Sequence, residues 1–460
     1  MPLAILGCAV AISLTTFPSI AKPSSATANN GPLNGNLSFI SSEYPSPPTG
    51  KELRARPKVI SVYEWDNKPL GDRSPFLLVH GLRGEYYSDF RWQKVIKNFT
   101  TNDDFASRYK VYMLRYDSLA PLKQTVPQFH EAISSLSQRA DSRPITIMAL
   151  SMGGNLVYEG MLDKETDSKV KIVLALGTPF RGSPLFCEEW MQYSIYKNPC
   201  FPWTRLDHSL AYKLYFGRNP NLLKDLRWDD ADQSIPDVGH FKSRLPLGPS
   251  GELTVANTIN NRLRKVESET FDKKKIIAYS CYLPNRYMLP NERRYVENTL
   301  MMPYTLFTTK VPAHLGREHP VLKMLNKQIT STVPSKIAED RGGTPFIYQL
   351  NDGITPVLSA LFVPDKLVEN DGLAREADLP KLKDQLDVRV ARVFKNSDHL
   401  TFIDGYHPLN TTSAVKDELN PAEGSKTIFD WMLYDLLHTT DDSNALAGDN
   451  KPNAIPVTAD

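Results

Sequence analysis

ITIMALSMGGNLVYEG, residues 145–160, joins an apolar, β-branched run to a small-residue segment of helical character through one serine. The pattern Ala149-Leu150-Ser151-Met152-Gly153 matches the Gly-x-Ser-x-Gly strand-to-helix turn, with alanine in place of the first glycine. Ser151 then reads either as a nucleophile held on a tight turn or as a small residue where the chain bends. The stretch alone does not choose between them, so the choice falls to its neighbours.

On both sides, short apolar runs alternate with helical patterns. PFLLVHG (75–81) is continuous and apolar, as suits a strand buried on both faces, and YKVYMLRYD (109–117) is β-branched and aromatic. A helix follows, with Thr125 as its cap, Pro127 in its first turn, and Val126, Phe129, Ile133, Leu136 and Ala140 on one face. After PITIMAL (144–150) and the helix-like GGNLVYEGMLDKE comes VKIVLALGTPF (170–180). Strands separated by helices imply right-handed βαβ units and a parallel sheet. Such a sheet keeps its chemistry at the carboxyl ends of its strands, where Ser151 stands. Further on, KKKIIAYSCYL (273–283), TPFIYQLNDG (344–353) and DVRVARVFKNSDHLTF (387–402) add β-like runs, and SKTIFDWMLYDLLH closes with an amphipathic helix.

A serine hydroxyl attacks well only with a base to take its proton, an acid to orient that base, and donors for the oxyanion. Downstream of Ser151, Asp352 in NDGITPVLSALF and His399 in NSDHLTFI each follow a β-like run, in the order serine, acid, histidine. Asp352 also suits an ordinary Asn-Asp-Gly turn, and Asp371 in ENDG is a rival acid. Asp352 is preferred because it ends an apolar run, whereas Asp371 lies in a charged, loop-like region. His407 in GYHP competes with His399 but precedes proline and follows no strand closely.

Four separated stretches, LLVHGLRG, ALSMGG, LALGTPFRGS and the pair NDGITPVLSA with DHLTFI, together resemble the α/β-hydrolase-fold lipases and esterases. The resemblance spans most of residues 75–402 and implies a mostly parallel central sheet flanked by helices, with cap or lid insertions. It implies a carboxylic-ester hydrolase acting through a Ser-His-Asp triad and an acyl-enzyme. Ser151 is then the nucleophile, His399 the base and acid, Asp352 the orienting carboxylate, and the backbone N–H groups of Leu82 and Met152 the oxyanion donors. His80, Arg181 and Gly182 are read as shaping loops. GTPFRGS differs from the family's Thr-Pro-His-Arg-Gly segment by Phe180. An acyltransferase on the same fold and a non-catalytic binding protein are the alternatives.

The remaining sequence bounds this reading. With 460 residues and 41% hydrophobic content, the chain can bury the core of one elaborated α/β domain. Its formal net charge of +2, without a sustained basic block, gives no reason to expect nucleic acid. Residues 1–21, with the apolar run LAILGCAVAISL and then SIA, read as an export signal peptide. Residues 22–50 read as a flexible leader, 51–440 as the hydrolase domain, and 441–460 as a flexible tail. Insertions at about 183–272 and 284–343 interrupt the domain. No stable transmembrane segment is expected, and nothing selects an oligomeric state. In an oxidising compartment Cys187 and Cys200 can close a small ring, while Cys281 suits a buried, inert thiol. No Cys/His spacing resembles a zinc site, so no metal or cofactor is expected. Asp229, Asp230 and Asp232 read as a solvated acidic loop rather than a calcium site. The aromatic content of the first insertion points to an apolar ester or lipid as substrate.

Overall fold

The apolar runs at 75–81, 109–117, 144–150, 170–180, 273–283 and 387–402 form strands, while 344–349 of the run at 344–353 lie outside the described residues. The computed structural model describes residues 47–48, 50–87, 89–183, 225–226, 273–282, 350–352, 354–363, 376–395, 397–404, 414–419 and 426–439. One sheet contains β1 (Ser61–Glu64), β2 (Ser74–Val79), β3 (Tyr109–Arg115), β4 (Ile145–Leu150), β5 (Val170–Leu176), β6 (Ile276–Tyr282) and β7 (Val390–Lys395). Their order is β1-β3-β2-β4-β5-β6-β7. β1 runs antiparallel to β3, and every other pair is parallel. A two-residue ladder joins β8 (Ala414–Val415) to β9 (Lys426–Thr427). Among the helices are α1 (Gln93–Thr100), α2 (Asp103–Arg108), α3 (Leu122–Arg139), α4 (Met152–Gly160), α5 (Lys164–Lys169), α6 (Val357–Ala360), α7 (Leu379–Leu382), α8 (Thr401–Asp404) and α9 (Ile428–Thr439). This is the α/β-hydrolase arrangement: a mostly parallel sheet with helices on its flanks. No described helix is long and apolar enough to cross a membrane.

Parallel strands buried on both faces need apolar side chains at every position, which explains their continuous apolar runs. Phe76 and Leu78 of β2, Met148 and Leu150 of β4, and Leu174 and Leu176 of β5 share one core with Trp92, just before α1, Ile96 and Phe99 of α1, and Trp431 and Met432 of α9. The alternate positions, including Leu77, Val79, Ile147 and Ala149, are equally buried on the other face. There α4 lies so close to β2 that a Cβ on Gly153 would come within 3.1 Å of the Val79 side chain.

The sheet's order fixes where the site can be. β2 pairs with β3 on one side and β4 on the other. The chain therefore leaves β2 in one direction and β4 in the opposite one. A crevice opens outside the carboxyl ends of two such neighbouring strands, because their connections diverge. His80 follows one of those ends and Ser151 the other.

Two helix starts differ from the sequence reading. α3 begins at Leu122 rather than after Thr125, and Pro127 lies inside it. The Leu122 N–H donates to the Asp225 carboxylate at 2.7 Å, so the cap comes from a residue 103 positions away. Thr125 instead turns its hydroxyl back to the Leu122 carbonyl at 3.2 Å. At the C-terminal end, Lys426 and Thr427 pair with β8 before α9 starts. Thr427 then caps α9 reciprocally with Asp430: the Asp430 N–H donates to Thr427 Oγ1 at 3.1 Å, and the Thr427 N–H donates to Asp430 Oδ2 at 2.9 Å. α9 is tied to the sheet by a buried charge network. Arg392 of β7 donates to Asp435 at 2.5 Å and to Asp417 at 2.7 Å, and the Tyr279 hydroxyl donates to Asp435 at 2.8 Å.

Candidate active site

Ser151 sits between β4 and α4 with φ 52 and ψ −126, a backbone conformation that L-residues rarely adopt. Close packing around the turn holds it there. The Ser151 N–H donates to the Leu176 carbonyl at 2.8 Å, and the Gly154 N–H donates back to the Ser151 carbonyl at 2.9 Å. At the start of α4 two successive positions require glycine. A Cβ on Gly153 would stand 2.5 Å from the His80 carbonyl oxygen, and one on Gly154 would overlap the Thr178 side chain. Met152 is the first residue of α4, so its N–H has no acceptor within the helix and marks the positive end of the helix dipole.

The carboxylate and the imidazole meet. Asp352 Oδ2 lies 2.7 Å from His399 Nδ1. The two residues are also joined through the backbone, where the His399 N–H donates to the Asp352 carbonyl at 3.0 Å. Asp352 is fully buried, and its other oxygen accepts from the N–H groups of Ile354 and Thr355 at 2.9 and 2.7 Å. That turn is the one the Asn-Asp-Gly sequence suggested, so turn and charge partner are the same residue. An Nδ1–H donating to Asp352 leaves His399 Nε2 as the basic nitrogen.

Gly177 links this pair to the serine. It follows Leu176, the acceptor for the Ser151 N–H, and has φ 54. A Cβ at Gly177 would lie 3.0 Å from His399 Nδ1 and 3.1 Å from Asp352 Oδ2. The strand end that anchors Ser151 is therefore the surface on which Asp352 and His399 rest. The Thr355 hydroxyl donates to the Gly177 carbonyl at 3.0 Å and closes the arrangement.

Leu82 lies in the loop after β2, which packs on the elbow: a Cβ on Gly81 would be 3.1 Å from Ser151 Cβ. His80 shapes this loop, as its sequence position suggested. Its Nδ1 donates to the Gly81 carbonyl at 2.8 Å, its Nε2 accepts the Tyr116 N–H at 3.3 Å, and the Tyr116 ring stacks on it at 4.4 Å. Burial pushes the imidazole down to about 4, so it stays neutral. Arg181 and Gly182 also shape a loop. Arg181 Nη1 donates to the Val363 carbonyl at 2.9 Å, and the Gly182 carbonyl accepts the Ser359 hydroxyl at 2.7 Å.

Sequence reasoning missed several supporting residues. Asp398 Oδ1 accepts the N–H groups of Leu400 and Thr401, both at 3.0 Å, and so fixes the turn that carries His399. The Asp-x-x-Thr spacing at 398–401 is a capping signal that reveals this role. Glu85 and Ser118, buried beneath the Leu82 loop, carry no comparable signal. Cys281 is fully buried on β6, as expected. Asp371, His407, Cys187, Cys200, Asp229, Asp230, Asp232 and nearly all of both insertions lie outside the described residues.

No protein-family model and no curated protein matches the chain. Solved structures resemble parts of it. Lipase B of Aspergillus fumigatus matches at 15% identity and TM-score 0.23, over 34% of this chain and 36% of that one. A Bacillus licheniformis lipase in its mature form matches at 16% identity and TM-score 0.24, over 41% and 77%. A soluble variant of monoglyceride lipase from Saccharomyces cerevisiae matches at 15% identity and TM-score 0.23, over 30% and 48%. The match thus spans about a third of the Aspergillus enzyme and about half of the yeast one.

Proposed function

We propose that this protein hydrolyses carboxylic esters through Ser151, His399 and Asp352. What supports the reading most is the buried 2.7 Å contact between Asp352 Oδ2 and His399 Nδ1, set against the strand end that anchors Ser151. His399 Nε2 takes the Ser151 proton as the hydroxyl oxygen attacks the ester carbonyl carbon. The N–H groups of Met152 and Leu82 receive the negative charge that develops on the carbonyl oxygen, and donors of this kind are worth roughly 10²–10³ in rate each. The tetrahedral species collapses as the imidazolium returns the proton to the leaving alcohol, which leaves an acyl group on Ser151. Water, activated by the same nitrogen, then releases the acid and restores the serine.

We assign the acyl side to apolar groups because Tyr193, Tyr196, Phe201, Trp203, Tyr212 and Phe216 crowd the insertion after Ser183. A series of nitrophenyl esters from acetate to octanoate tests both statements. The reading expects turnover that disappears in Ser151→Ala, covalent labelling of Ser151 by a fluorophosphonate, and efficiency that rises with chain length. A protein that neither hydrolyses the esters nor takes up the label at Ser151 refutes it.

A further inference from the structure

Beneath the proposed oxyanion loop runs a buried polar chain that ester chemistry does not itself require. Arg83, next after Leu82, has a left-handed backbone with φ 60, and its N–H donates to Ser118 Oγ at 2.7 Å. Ser118 Oγ lies 3.0 and 2.8 Å from the two carboxylate oxygens of Glu85. Both side chains are fully buried. Two further bonds hold the same loop to the last residue of β3 and the residue after it. Arg115 Nε donates to the Glu85 carbonyl at 3.1 Å, and the Tyr116 hydroxyl donates to the His80 carbonyl at 3.1 Å.

A carboxyl group is a costly filler for a site without solvent, and an apolar side chain would occupy the space more cheaply. Its acceptor capacity is therefore the property that needs a reason. A serine hydroxyl has one hydrogen and two lone pairs. With that hydrogen committed to Glu85, the oxygen is free to accept from Arg83. Without Glu85 the hydroxyl rotates, and its hydrogen competes for the direction that the Arg83 N–H occupies. We infer that Glu85 is the positioning residue of the oxyanion loop: acting through Ser118 it fixes the Leu82–Arg83 peptide and so the aim of the Leu82 N–H. The inference rests on the ester-hydrolase reading, in which Leu82 supplies an oxyanion donor. Burial also pushes the Glu85 carboxyl up to about 7, while the Ser118 hydroxyl and the backbone N–H groups of Glu85 and Ser118 draw it back toward the ionised, accepting form.

The experiment is steady-state kinetics on a nitrophenyl ester with the full chain and four variants: Glu85→Ala, Glu85→Gln, Ser118→Ala and Glu85→Ala with Ser118→Ala. A loop displaced by a fraction of an ångström should cost kcat about 10- to 100-fold and leave KM nearly unchanged, because the lost contact forms only in the transition state. Glu85→Ala and Ser118→Ala should show this loss, and the double variant should be no worse than either alone, since both cut one relay. Glu85→Gln keeps an oxygen that accepts the Ser118 hydrogen and should stay within a few-fold of the parent. If Glu85→Ala does not fold, Ser118→Ala still decides, as it removes a single oxygen. A folded Ser118→Ala or Glu85→Ala protein with full kcat overturns the inference, and so does a loss that falls on KM alone or multiplies in the double variant. In each of those cases the parent enzyme is active, and the ester-hydrolase reading stands. A parent protein inert to both ester and fluorophosphonate overturns the two together.

Discussion

Replacing Glu85 by glutamine should remove a loss of stability with rising pH that the buried carboxyl imposes on the parent. The side chain is fully buried, and burial raises its carboxyl from an ordinary 4.5 to about 7. The folded state thus binds this proton more tightly than the unfolded chain does. Below pH 4.5 both states are protonated, and ionisation costs nothing. Between pH 4.5 and 7 only the unfolded chain gives up the proton freely, so stability falls as pH rises, and above 7 the full cost is present. At about 1.4 kcal/mol per pH unit, the cost is about 3 kcal/mol. His80, whose Nδ1 lies 4.0 Å from Glu85 Oε2, has the opposite sign. Its imidazole is lowered from 6.5 to about 4, so its neutral burial loses stability as pH falls through that range. The other charged groups facing the pair are Arg115 and Asp117, and Asp117 is held by Arg56. All of them remain in Glu85→Gln, so the difference between variant and parent isolates the carboxyl. Urea unfolding at intervals from pH 4.5 to 7.5, followed by the fluorescence of the six tryptophans, measures it. Burying the glutamine NH₂ group adds a constant offset, so the quantity read is the change in the difference. It should grow by about 3 kcal/mol in the variant's favour across that range. A difference that stays flat would refute the reasoning that burial raises the Glu85 carboxyl above its value in the unfolded chain.

Ser151→Ala should abolish ester turnover at unchanged stability, because alanine meets the same backbone strain at φ 52. Ser151→Gly should be equally inactive but more stable by about 1 kcal/mol, the relief of strain less the entropy glycine adds to the unfolded chain; thermal melts of the three proteins compare them. Asp352→Asn should lower kcat severely by disturbing the tautomer of His399, whereas Asp371→Asn should not, and the reverse pattern would move the acid to Asp371. Gly153→Ala should destabilise by about 1–3 kcal/mol and lower kcat, since the added Cβ meets the His80 carbonyl at 2.5 Å and backbone on that side cannot yield cheaply. Equal melting temperatures for Gly153→Ala and the parent would contradict that packing.

Six of the seven strands, their largely parallel run and the elbow turn were legible in the amino-acid sequence, as was the chain order Ser151, Asp352, His399. Those features rest on local signals: apolar runs long enough for doubly buried strands, glycines where α4 meets β2, and a turn motif at Asp352. β2 to β5 and the start of α4 fell within a few residues of their expected positions for that reason, whereas the edge strand β1 had no counterpart in the sequence reading. The remainder depended on partners distant in the chain. α3 starts at Leu122 because Asp225 caps it from 103 positions away, which no window around Thr125 can reveal. Gly177 reads as an ordinary strand-ending glycine, yet its lack of a side chain lets His399 and Asp352 rest on the strand end that holds Ser151. Nothing in GEYY marks Glu85, and its burial against Ser118 appears only when β2 and β3 lie side by side. Periodicity and turn chemistry are written locally, whereas the neighbour that satisfies a buried hydrogen bond is chosen by strand order.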